Sequence, residues 1–128
     1  MKKLFGVIIV FAGLLASPVF GQELVGSYVA YIGEDDLYNS RGQRLTQPWQ
    51  VLRQDRANFH RFGISQRGDE DDPYFDSINN RAAMERMVMN GHIDRAARRN
   101  LLRGGATVFV RIYGRGSVGR SVRVTVVR

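Results

Sequence analysis

Thr107-Val-Phe-Val-Arg-Ile-Tyr113 and Ser121-Val-Arg-Val-Thr-Val126 decide the fold of this chain. In the first run Val108, Val110 and Ile112 alternate with Thr107, Phe109, Arg111 and Tyr113; in the second Val122, Val124 and Val126 alternate with Ser121, Arg123 and Thr125. Successive side chains of a strand point to opposite faces, so each run has one aliphatic face and one mixed face. The Gly-rich stretch Gly114 to Gly119 between them makes the pair a β-hairpin. The aliphatic face is expected to be buried, which sends Phe109, Arg111, Tyr113, Arg123 and Thr125 outward together.

A two-stranded ribbon is marginal alone, so a third strand is sought upstream. Leu24 to Ile32 (LVGSYVAYI) is rich in β-branched and aromatic residues and stops at Gly33. Between it and the hairpin lie three helical stretches. Thr46 and Pro48 mark a start, as N-cap and first-turn proline, of a helix running to about Phe62 and ended by Gly63. Leu52, Phe59 and Phe62 form its apolar stripe, near Trp49 and Val51. Asp76 or Ser77 caps Ile78 to Asn90, with Met84, Met87 and Val88 inward and Arg81 and Glu85 as an i, i+4 pair. A short third helix, about Ile93 to Arg103, places Ile93, Ala97 and Leu101 on one side and ends at Gly104 and Gly105. The expected fold is α+β in the order β-α-α-α-β-β, a three-stranded antiparallel sheet with helices on one face.

Met1 to Gly21 reads as a secretory signal: Lys2 and Lys3, an apolar run from Leu4 to Leu15, then Ser17 and Pro18. Cleavage is expected after Gly21, with Val19 and Gly21 in the positions that demand compact side chains. The apolar run is far short of the ~20 residues of a membrane-spanning helix. Residues 22–128 are then a single domain, free in the periplasm or outside the cell, with no integral membrane span after cleavage and no intracellular nucleic acid as partner. A domain this size buries roughly 65% of its unfolded surface, enough for a core without staples. The chain has no Cys, which excludes thiolate catalysis, Cys-ligated zinc and disulfides.

Gly114, Gly116 and Gly119 match G-x-G-x-x-G, but that phosphate loop requires a helix N-terminus after it and here a strand follows. They are read as turn residues. The acidic clusters Glu34-Asp35-Asp36 and Asp69-Glu70-Asp71-Asp72 offer oxygens to Ca²⁺ without EF-hand spacing, and read as solvated loops pairing with Arg of the same molecule. His60 and His92 are the only histidines, each expected near the surface, and no Ser sits in a nucleophile elbow. Asp55 lies three after Leu52 and four before Phe59, on the stripe that should face the core. A carboxylate there needs a partner, and Arg53, Arg56 or a hairpin Arg is expected to give a structural ion pair.

Charge divides unevenly. Residues 22–80 hold 6 Arg and 10 acids, whereas residues 81–128 hold 11 Arg and 2 acids. These features point to a small exported, non-enzymatic binding protein for an envelope protein or an anionic polymer, using Phe109, Arg111, Tyr113 and Arg123. No motif asks for a cofactor or metal. The alternative is a small hydrolase or metal-dependent enzyme in which an acidic cluster meets His60 or His92 in one concave pocket. An oligomerising protein would instead leave an apolar sheet face uncovered.

Overall fold

Three β-strands pair antiparallel in the order β1-β2-β3: β1 (Glu23–Ile32), β2 (Ala106–Arg115) and β3 (Val118–Val127). The structure is a computed structural model that describes residues 22–128, so the expected export signal at residues 1–21 lies outside the described residues. Between β1 and β2 come three α-helices, α1 (Pro48–His60), α2 (Ile78–Asn90) and α3 (Arg95–Arg103), giving the expected α+β order.

The inner sheet face follows the alternation. Tyr28, Ala30 and Ile32 of β1 and Val108, Val110 and Ile112 of β2 are fully buried. Each such aliphatic side chain contributes about 1.5–3 kcal/mol by leaving water. Val122, Val124 and Val126 face the same core but are only half-buried. β2 is flanked by a strand on each side, whereas β3 is an edge strand. Val51 and Leu52 of α1, Met84 and Val88 of α2 and Leu101 of α3 complete the core.

The helices form where caps and stripes agree, with local corrections. Gln47, not Thr46, is the N-cap of α1, and Pro48 is its first residue. Thr46 instead donates its backbone N–H to Gln50 Oε1. α1 ends at His60, and Phe62, expected on the buried stripe, is exposed because it lies beyond the last turn. α2 spans the expected residues, and the Ser77 hydroxyl accepts from Asn80 N. Arg81 and Glu85 do not pair: Arg81 turns inward to the Phe75 and Asp76 carbonyls, and Glu85 reaches Arg53 at 3.0 Å. α3 begins two residues later than expected, because the Asp94 carboxylate accepts from Ala97 N and fixes the cap there.

The two sheet edges are treated differently. The acidic loop after α1 lies along β1, where Val29 N donates to Glu70 Oε1, Tyr31 N to Asp69 Oδ1, and Glu70 N to the Val29 carbonyl. This loop has no apolar anchor in its sequence; carboxylates accepting edge-strand N–H groups hold it down.

Candidate functional site

α1 carries a run of polar side chains into the core. Leu52 and Arg56 are one turn apart, so the packing that buries Leu52 buries Arg56 too. The Arg56 guanidinium, with no exposed surface, stacks between two rings, 4.0 Å from the Tyr28 centroid and 4.7 Å from that of Phe59. Its Nε donates to Asp55 Oδ2 at 2.8 Å, and its Nη1 to Asp72 Oδ1 at 2.6 Å and the Glu70 carbonyl at 2.9 Å. The partner of Asp55 is therefore Arg56, its own neighbour on the helix.

One guanidinium serves two carboxyl groups here, and the supply of bonds falls short. Asp55 Oδ1, Arg56 Nη2 and the Tyr28 hydroxyl are buried without a hydrogen-bond partner. Burial pushes the Asp55 carboxyl up to about 8, against the pull of Arg56. Burial likewise raises Asp36 to about 6, although Asn58 Nδ2 and Gly33 N donate to it. The Tyr28 phenol is pushed well above its ordinary value by burial and then by the Asp55 charge.

The acidic clusters are not solvated loops throughout. Asp36 and Asp72 are buried, because each sits where a backbone turn and a helix side chain offer donors together. Asp72 also accepts from His60, whose Nε2 is 3.0 Å from Asp72 Oδ1 and whose Nδ1 is 3.8 Å from Asp76. His60 is thus nearly enclosed rather than turned to solvent, since the 74–76 turn folds back over the end of α1. A histidine and two carboxylates do converge, with His60 and Asp72 enclosed and Asp76 largely exposed to solvent. None of the three lines the four clefts of about 310–640 Å³ found among the described residues. His92 lies exposed beside β3, in a groove lined by no carboxylate among the described residues. Among the described residues no three His, Asp or Glu gather as a metal site.

A cleft of about 640 Å³ is lined by residues of the Glu34–Ser40 segment and of α1. Its floor residue Asn58 is already engaged: Nδ2 donates to the Asp35 carbonyl and Asp36, and Oδ1 accepts from Gln54. What remains at its mouth is Glu34 and Asp35 with the exposed rings of Tyr38 and Phe62.

The outer sheet face holds the residues picked out by alternation. Phe109 lies between Val29 and Thr125, and Arg111 between Ser27 and Arg123. Phe109 retains 38% of its surface, Arg123 is exposed, and Arg111 and Tyr113 are half-buried. The Arg111 guanidinium lies 5.2 Å from the Phe109 ring centroid, within cation–π range. Among the described residues neither Arg111 nor Arg123 has an ion-pair partner.

The glycine-rich turn has no phosphate cradle. Gly116 takes a positive φ in the β2–β3 reversal, and a Cβ at Gly114 would run into the Val118 carbonyl. Gly119 N donates to the Tyr74 hydroxyl, so the turn is pinned to the segment before α2.

Sequence reasoning missed the enclosure of Arg56, Asp72 and Asp36. Arg56 carried a usable signal, four after Leu52 and three before Phe59, the same kind of spacing that singled out Asp55. Asp72 and Asp36 carried none, since only the folded turn brings donors to them. No protein-family model, curated protein or solved structure matches the chain.

Proposed function

We propose that this protein is a small exported binding module, without catalytic activity, that takes an anionic partner on the outer face of its sheet. The observation that carries the reading is the Arg111–Arg123 pair. The two arginines are register partners on adjacent strands, and neither has an ion-pair partner among the described residues. Like charges so placed repel, typically by a few tenths to about 1 kcal/mol, and a bridging carboxylate or phosphate turns that cost into attraction. Phe109, under Arg111, adds a flat apolar surface beside the charges.

The wider charge pattern supports the same partner. Arg86, Arg95, Arg99, Arg103 and Arg120 are exposed, in a half of the chain whose only acids, Glu85 and Asp94, hold Arg53 and the α3 cap. Such a field accelerates encounter with a polyanion and weakens with salt.

The test is retention of residues 22–128 on immobilised polyglutamate across a salt series, for the native protein and the Arg111→Gln/Arg123→Gln double variant. Gln keeps most of the volume and removes the charge. The double variant is expected to bind roughly tenfold more weakly at low salt, with a shallower salt dependence. Equal binding at equal folded fraction would reject this face, and a fall in stability alone would assign the two arginines an internal role.

A further inference from the structure

We infer that the free edge of β3 accepts an extended acidic segment of a partner protein as a fourth strand. The inference rests on the binding reading above and names the partner's chemistry. A groove of about 450 Å³ beside β3 is lined by Ser121 to Thr125 together with His92 and Arg111. Among the described residues, no hydrogen bond joins the backbone from Ser121 to Val127 to any loop or helix. An edge strand presents alternate N–H and C=O groups away from its sheet, a ready template for one more strand.

The opposite edge shows what such a template binds in this molecule. At β1 the acidic loop supplies carboxylates to the Val29 and Tyr31 amides and a backbone N–H to the Val29 carbonyl. Among the described residues β3 has no loop in that role, and its surroundings are more basic: Arg120 and Arg123 on the strand, Arg111 on its neighbour β2.

A second copy of the chain fits poorly. Antiparallel pairing of two β3 strands about their centre would set Arg123 against Arg123, a like-charge contact of the kind that guards natural edges from self-association. A polyanion without a peptide backbone would meet the guanidiniums and leave the amide row unused. An extended polypeptide with acids at alternate positions meets both, because one face of the added strand would lie beside Arg123 while its backbone pairs with β3.

The experiment uses residues 22–128 and a peptide about ten residues long, alternating Glu and Val, in two forms: unmodified, and N-methylated at alternate residues on its hydrogen-bonding edge. Charge is the same in both. Affinity is read by calorimetry and amide exchange is followed along β3. The unmodified peptide is expected to bind roughly tenfold tighter or more and to slow exchange within Ser121–Thr125. Equal affinity of the two forms, or protection that spares β3, overturns the strand inference and leaves the anion-binding reading standing. Concentration-dependent protection of β3 in the protein alone shows that a second copy holds the edge, and also overturns it. Failure of both the peptide and polyglutamate to bind at low salt removes the binding reading itself.

Discussion

Replacing Asp55 with Asn isolates the cost of holding a carboxyl beside Arg56 with one oxygen unbonded. The native chain keeps this proton up to about 8, whereas the unfolded chain releases it near the ordinary 3.8. Below 3.8 both states are protonated and Asp55 adds no pH dependence. Between the two values the unfolded state has lost a proton that the folded state retains, so stability falls by about 1.4 kcal/mol per pH unit. The contribution is fully present in acid and is lost as pH rises through about 8. From about pH 5 to about pH 7.5 the loss is about 3 kcal/mol, and Asn, which does not titrate, does not incur it.

Asp36, raised to about 6, contributes in the same direction but is common to both chains and cancels in the difference. Arg56 keeps Asp72 and the Glu70 carbonyl in the variant, so it is not stranded. Urea unfolding at both pH values is the assay. With a denaturant slope of about 1.5 kcal/mol per M, the midpoint of Asp55→Asn relative to native should rise by about 2 M across that interval. Midpoints that move in parallel, or a variant that weakens faster as pH rises, would show that Asp55 is ionised and fully paired with Arg56, and would refute the reasoning.

Arg56→Lys should cost nearly as much as Arg56→Met, about 3–5 kcal/mol by chemical unfolding, because an ammonium cannot donate to Asp55, Asp72 and the Glu70 carbonyl while stacked between Tyr28 and Phe59. A lysine variant within about 1 kcal/mol of native would show that charge alone suffices there. Changing Asp69 and Glu70 together to Ala should speed exchange at the Val29 and Tyr31 amides by roughly tenfold, with the amides of β2 unaffected. Unchanged protection at those two positions would mean the acidic loop does not close the edge.

Alternation at Val108–Ile112 and Val122–Val126 was enough for the hairpin, its faces and the outward set of Phe109, Arg111, Tyr113 and Arg123, because a strand's two-residue period is a property of the backbone itself. The helices α1, α2 and α3 were legible from Pro48, Ser77 and the glycines that follow them, since caps and breakers act within one turn. Charge asymmetry was equally a matter of counting. Tertiary structure alone decided how deeply each position sits and what it meets. Val110 and Val124 share an inward-facing row, yet one is in the central strand and fully buried while the other is at an edge and only partly covered. His60, Asp72 and Arg56 became one network because the 74–76 turn closes over α1. Asp69 and Glu70 became edge caps because, among the described residues, β1 is an edge strand with β2 on one side only. Local pattern sets which way a side chain points; the neighbours that satisfy or exclude it come from chain segments distant in sequence, and their arrival is a property of the packed whole.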